Sequence, residues 1–212
     1  MNIIVGVTGA SGSIYGVRLL EVLRTAYPEV KTHLVVSRAG RRVLRHETEY
    51  DVDDLANWAD AAYSEADIGA APASGSAGFD AMVIVPCSVK TLAQIAGGTG
   101  DTLVGRAADV ILKEGRKLVL VLREMPLSAI HLENMLKLAR LGVMILPASP
   151  GFYFHPKTLD DAVDHVVGKT LNALGLEQNL FEKWKGQSPA RSGSILQEGS
   201  LQEGGLGEES VN

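Results

Sequence analysis

The stretch that most constrains this chain is its beginning, Ile3 to Leu23, IIVGVTGASGSIYGVRLLEVL. Ile3, Ile4, Val5 and Val7 form a short β-branched run with little alternation, the pattern of a parallel strand covered on both faces. Gly9 ends it. From Ile14 the apolar residues thicken through Val17, Leu19, Leu20, Val22 and Leu23, while Arg18, Glu21 and Thr25 recur at steps of three and four. A helix with one buried face therefore begins near Ser11 to Ser13. Gly9 and Gly12 let the backbone turn with its N–H groups open, Ser11 and Ser13 add hydroxyls, and the helix N-terminus carries partial positive charge. That is an anion site, best suited to a phosphate. The Gly-Lys-Ser/Thr ending of a Walker loop is absent, and glycines at 9, 12 and 16 lack the Gly-x-Gly-x-x-Gly spacing of a dinucleotide site, so a terminal monophosphate fits better. The plainer alternative is that Ser11 or Ser13 caps the helix.

The rest of the chain repeats the strand-then-helix pattern. Lys31 to Val36 reads as a second strand ending at Ser37, and Arg38 to Glu47 as a basic helix. Ser37 and Arg38 at that strand end suit the extra phosphate of NADP as well as another phosphate. Asp51 to Trp58 reads as a short capped helix, and Ala66 to Gly78 as a long loop of small residues. Ala81 to Pro86 is a third strand, running through Cys87-Ser88-Val89-Lys90-Thr91 into a helix. Asp101 to Glu114 is a helix with Arg106, Asp109 and Lys113 on one face. Lys117 to Leu122, Ser128 to Leu141, Val143 to Leu146 and Leu159 to Leu174 continue as strand, helix, strand and helix, with a loop from Pro147 to His155. This alternation predicts an α/β fold, a doubly wound parallel sheet in a Rossmann-like or flavodoxin-like three-layer sandwich. Ser11, Ser37, Ser88, Arg123 and Tyr153 fall at strand ends, where such sheets bind ligands.

The net charge of −5 argues against a nucleic-acid or anionic-membrane surface. No apolar run approaches the ~18 residues of a membrane span. Cys87 is the single cysteine, which excludes an intrachain disulfide and agrees with a cytoplasmic protein. Histidines are scattered without ligand spacing, so no metal site is expected. Cys87 reads as a small core residue and His131 as a packing or capping residue. Domain 1–186 is expected to hold the chemistry, and 187–212, rich in Gly, Ser, Glu and Gln, to be a disordered polar tail.

The segments VTGASGSIYGVRLL, HETE, PASGS, PCSVKTL, RAADVILKE, VLREMPLSAIHLENML and ILPASPGFY resemble, in order, successive motifs of the flavin prenyltransferase family of the UbiX type. The resemblance runs from about Ile3 to Gly186. It implies a homo-oligomer, commonly a dodecamer, that joins a dimethylallyl group from dimethylallyl monophosphate to N5 and C6 of reduced FMN without a metal. The product, prenylated FMN, serves a UbiD-type decarboxylase, with a link to ubiquinone biosynthesis. The resemblance also implies that Gly9, Ala10, Ser11, Ser37, Ser88, Val89, Lys90, Thr91 and Arg123 bind FMN, and that Tyr153 and Lys169, with Arg106 and Lys113 nearby, bind the prenyl phosphate. Ser11, Glu47, Glu124 and Trp184 match further active-site positions. Glu47 closes the basic helix, away from the strand ends, and its counterpart in the family reaches into a neighbour's pocket.

Two rivals use the same residues. Cysteine-decarboxylating flavoproteins carry Pro-Ala-Ser-Ala-Asn-Thr where this chain has Pro86-Cys87-Ser88-Val89-Lys90-Thr91, and an Asn-containing motif in place of Met125-Pro126-Leu127; both departures count against that activity. A non-catalytic module binding NADP through Ser37 and Arg38 is the other.

Overall fold

A computed structural model describes residues 1–182, 184 and 186. The chain divides into two units, Met1–Glu182 and one from Lys183 onward, of which only residues 184 and 186 are described. The first contains β1 (Asn2–Val7), α1 (Ser13–Ala26), β2 (Lys31–Val36), α2 (Arg38–Glu47), α3 (Val52–Trp58), β3 (Ala61–Ser64), β4 (Ala81–Cys87), α4 (Val89–Gly97), α5 (Leu103–Lys113), β5 (Lys117–Leu122), α6 (Ala129–Arg140), β6 (Met144–Pro147) and α7 (Leu159–Leu174). The strands form one parallel six-stranded sheet in the order β3-β2-β1-β4-β5-β6. The chain starts in the middle, winds outward to β3, then returns across β1 to β4 and winds the other way. Ile3 lies opposite Thr32 on one neighbour and Ala81 on the other.

The lack of alternation in β1 and β4 follows from this position. Ile3, Val5 and Val7 face a core built with α1, α3 and α7, through Leu20, Leu55 and Leu171 among others. Ile4, Met82 and Ile84 face the opposite core, with Leu92 of α4, Leu103 of α5 and Leu138 of α6. Both faces are covered, so both alternate sets are apolar.

The expected elements are present within a residue or two, and one strand is added to them. β3, Ala-Ala-Tyr-Ser, is a sixth strand that the sequence did not announce; it is a four-residue edge strand with alternate half-buried positions, too short and alanine-rich to carry a period. α5 starts at Leu103, where the Thr102 side chain accepts the Gly105 N–H, and not at Asp101. The long loop of small residues contains two single 3₁₀ turns, Ala71–Ala73 and Gly75–Ala77. The expected tail, 187–212, lies outside the described residues.

Candidate active site at the carboxyl edge of the sheet

The reversal of winding between β1 and β4 leaves a crevice at the carboxyl ends of the strands. Thr8, 1% exposed, ties the two ends together: its hydroxyl donates to the Pro86 carbonyl (2.8 Å) and accepts the Ser88 N–H (2.9 Å). Past it the chain turns through Gly12, at φ 97°, where a Cβ would stand 2.8 Å from the Tyr15 ring. Gly12 is the N-cap of α1, and no side chain of the turn caps the helix.

The open N–H groups of this turn are filled by Glu47. Its Oε2 accepts from the N–H of Gly12 (2.8 Å) and of Ser13 (3.0 Å). Burial pushes the carboxyl up, but hydrogen bonding from the Ser11 hydroxyl and from those two backbone N–H groups outweighs it, and the pKa is held below its ordinary value. Two expectations are corrected here. Glu47 is not remote from the strand ends, because α2 folds back along α1 and delivers its last residue to the turn of its own subunit. The α1 N-terminus also receives a carboxylate of this chain where an external phosphate was expected.

The hydroxyl and cationic donors gather one strand away. Ser37, at the end of β2, accepts the Gly40 N–H (2.9 Å), and Ser88, at the end of β4, accepts the Thr91 N–H (3.2 Å). A capping hydroxyl accepts through its oxygen and keeps a proton to donate, so the cap role and the binding role are compatible. A cavity of about 690 Å³ lies between them, lined by Gly9, Ser37, Arg38, Ser88, Lys90 and Thr91 among others. A second, of about 620 Å³, is lined by Gly9, Ser11, Arg42, His46, Glu47 and Arg123 among others. The two share Gly9, Ala39 and Arg42. Arg123, at the end of β5, donates from its backbone N–H to the Cys87 carbonyl (3.2 Å) and from Nε to the Ser11 carbonyl (3.1 Å), which closes the second cavity over the turn. Tyr15 stands beside it; burial raises the phenol pKa and the Arg123 charge lowers it in part.

The profile of the flavoprotein family matches residues 1–171. A probable UbiX-like flavin prenyltransferase of Escherichia coli O157:H7 is 53% identical over 192 residues, 91% of this chain and 97% of that protein. The chain belongs to the UbiX-like flavin prenyltransferases. It is an enzyme, a prenyltransferase, and its structure agrees with that of solved relatives. A dodecameric FMN-dependent UbiX-like decarboxylase of Escherichia coli O157:H7 superposes with a TM-score of 0.86 at 54% identity, over 88% of this chain and all of the other. A UbiX in complex with FMN and dimethylallyl pyrophosphate gives 0.85 at 43% identity, over 88% of this chain and 98% of its own.

Against the residues that the resemblance to this flavin prenyltransferase family proposed, the single chain unites some and separates others. Gly9, Ser11, Ser37, Glu47, Ser88, Lys90, Thr91 and Arg123 line the two joined cavities. Ala10 is packed inward, and Val89 is the half-buried first residue of α4; both lie outside that lining. Glu124 follows Arg123 but accepts its own neighbour's N–H, that of Met125 (3.0 Å). Tyr153, 40% exposed, contacts His165 through its hydroxyl (3.4 Å to Nε2), and Lys169 lies exposed one turn further along α7. Arg106 is in the first turns of α5, paired with Asp109 (3.4 Å). Lys113 is at the other end of that helix, paired with Glu114 (2.5 Å) next to Gly75. Since α5 runs back against the strand direction and β5 begins four residues later, Lys113 sits at the amino edge of the sheet, and this chain does not bring it to its own crevice. Trp184 belongs to the second unit and is 63% exposed.

Residues that the sequence did not single out include Thr8, Tyr15, Ala39, Arg42 and His46. Arg42 and His46 were legible as successive turns after Arg38 on the face of α2 that meets Gly9, whereas nothing local marks Thr8 or Tyr15. Cys87 is fully buried with its thiol pushed up to about 12 by burial, the core residue expected. His131 caps α6, accepting the Ser128 N–H while its own N–H goes to the Ser128 hydroxyl.

Proposed function

We propose that this chain joins the dimethylallyl group of dimethylallyl monophosphate to N5 and C6 of reduced FMN, and that a UbiD-type decarboxylase receives the product. The observation that carries this reading is the pair of joined cavities, one lined by hydroxyls and cations, the other by Ser11, Glu47 and Arg123. Each is of a size that takes a drug-sized ligand.

The residues present fit FMN. Ser37, Ser88, Lys90, Thr91 and Arg38 form a donor set for a terminal phosphate ester, with the N-termini of α2 and α4 aimed the same way. Gly9 and Arg123 flank the route to the second cavity, where a ring system would lie over the α1 turn. When bound, the reduced flavin supplies the nucleophilic N5 and C6. The chain must stabilise the departing phosphate and move a proton from C6. Tyr153 and Lys169 hold the phosphate by preorganised donors. Ser11 and Glu47, hydrogen-bonded and with Glu47 kept ionised, form the near end of a proton path, with Glu124 or the released phosphate as acceptor. The phenol face of Tyr153 shields developing allyl charge.

Lys113 enters this scheme from a neighbouring subunit. The E. coli relative at 54% identity is dodecameric, and in an assembly of that kind the amino edge of one subunit's sheet would stand beside the crevice of another. We place the enzyme in the cytoplasm, in line with its unpaired buried thiol. Among the described residues no helix is long and apolar enough to cross a membrane, and no group of His, Cys, Asp and Glu is placed to hold a metal ion.

The test is anaerobic incubation of the purified protein with FMN, a reductant and dimethylallyl monophosphate or diphosphate, followed by mass analysis of the flavin. A dimethylallyl adduct is expected, faster from the monophosphate and unaffected by chelators. Tight NADP binding with none of FMN would return the NADP-binding reading. Carbon dioxide released from a peptidyl or free carboxylate, with unmodified flavin, would return the decarboxylase reading.

A further inference from the structure

Behind Tyr153 stands His165, on the buried face of α7 and 6% exposed. Its Nδ1 accepts the Gly151 N–H at 3.2 Å, and its Nε2 lies 3.4 Å from the Tyr153 hydroxyl. The ring is held in plane by Phe154, stacked at 5.1 Å and 9°, and by Phe181 at 4.5 Å and 49°; Tyr153 meets it edge-on at 5.7 Å and 78°. Gly151 makes the approach possible, since a Cβ there would stand 3.1 Å from the Tyr153 ring and 3.4 Å from that of His165.

This cage fixes a tautomer. A nitrogen that accepts a backbone N–H carries no proton, so a neutral imidazole must carry its proton on Nε2, facing the phenol. Burial lowers the pKa of His165 and the Lys169 charge adds to this, so the ring is neutral around pH 7. The phenol oxygen then accepts from Nε2, and its own proton turns away from the ring. With the other tautomer the phenol proton would be drawn to the imidazole, and Tyr153 would present lone pairs to an anion.

We propose that His165 is a positioning residue for the phosphate ester: by donating from Nε2 to the Tyr153 hydroxyl it commits that hydroxyl to donate toward the phosphate. This rests on the assignment of Tyr153 to the prenyl phosphate. Gly151 and His165 thereby belong to the substrate site although neither touches the substrate.

The test is steady-state prenyl transfer by the assembled enzyme with His165→Phe, His165→Gln, His165→Asn, Tyr153→Phe and the double variant that combines His165→Phe with Tyr153→Phe. Gln reaches as far as Nε2 and can donate to the phenol, whereas Asn reproduces the Nδ1 position alone. His165→Phe keeps the ring stack, and should raise KM for dimethylallyl monophosphate by roughly tenfold, about one hydrogen bond, while the FMN dissociation constant stays unchanged. His165→Gln should recover most of the loss and His165→Asn little. In the Tyr153→Phe background the His165→Phe change should add almost nothing. Additive losses, equal behaviour of Gln and Asn, or a parallel loss of FMN binding would overturn the positioning role. If His165→Phe does not assemble, the comparison of Gln with Asn decides alone. A wild type that makes no prenylated flavin would overturn the assignment of Tyr153 and the proposal with it, an outcome distinct from wild-type turnover with additive losses.

Discussion

At the scale of single residues, Glu47 does two things that its place in the sequence conceals. It caps a helix to which it does not belong, satisfying the N–H groups of Gly12 and Ser13, and it stays ionised while doing so. Glu47→Ala should destabilise the fold by about 1 kcal/mol, the usual cost of a lost N-terminal cap, and Glu47→Gln by less because an amide oxygen still accepts. The pH dependence has a definite sign. A carboxyl whose folded pKa is depressed contributes stability that is fully present above its ordinary value of 4.5 and is lost as pH falls through the lower folded value. The difference in melting temperature between wild type and Glu47→Ala, measured by calorimetry at fixed protein concentration, should therefore be constant from pH 7 to about pH 5 and shrink below it. A difference that grows on acidification would show that the carboxylate is not the stabilising form.

At the scale of elements, the site depends on how closely α1 and α2 rest on the strand ends. A Cβ on Gly16 would stand 2.6 Å from the Val85 carbonyl oxygen and 3.3 Å from Val7, and one on Gly40 would stand 2.6 Å from the Val7 carbonyl oxygen. The obstacles are backbone atoms of two central strands, which do not yield as a flexible side chain would. Gly16→Ala gains up to ~1 kcal/mol in helix propensity but incurs ~1–3 kcal/mol of overpacking, so net destabilisation is expected. It should also weaken FMN binding, because a displaced α1 moves the Gly9 to Gly12 turn. Thermal unfolding together with a flavin titration checks both. An unchanged titration in a destabilised variant would separate helix packing from the site.

At the scale of the whole molecule, the placement of Lys113 carries the argument for a shared site. It lies at the amino edge of the sheet, and Tyr153 in the loop at the carboxyl edge, so one chain does not supply both to one substrate. Lys113→Ala subunits and Arg123→Ala subunits, each inactive alone, should regain partial activity when co-assembled, since some crevices then receive an intact Arg123 from one subunit and an intact Lys113 from another. Mixed oligomers verified by native mass spectrometry and still inactive would show that Lys113 serves the crevice of its own subunit and overturn the shared site. Glu47 gives the opposite expectation: bonded to the turn of its own subunit, it should not complement Arg123→Ala in this way.

What the sequence determined by itself is whatever depends on local pattern. The apolar run at Ile3–Val7 dictated a strand buried on both faces, the run at Ala81–Pro86 a further strand, the strand–helix alternation a doubly wound sheet, and Ser37, Ser88 and Arg123 were legible because strand ends are where such sheets bind. The tertiary structure decided what depends on two distant segments meeting. Whether the α1 turn takes a phosphate or a side chain was settled by the path of α2, thirty-odd residues away, which carries Glu47 back to Gly12. Which end of α5 faces the crevice was settled by its direction against the sheet. The tautomer of His165 was set by a backbone N–H fourteen residues earlier, that of Gly151, brought close by the loop that follows β6. Hydrophobic period is a property of neighbours along the chain, and fixes elements; hydrogen-bond direction and charge pairing are properties of neighbours in space, and exist only once those elements have packed.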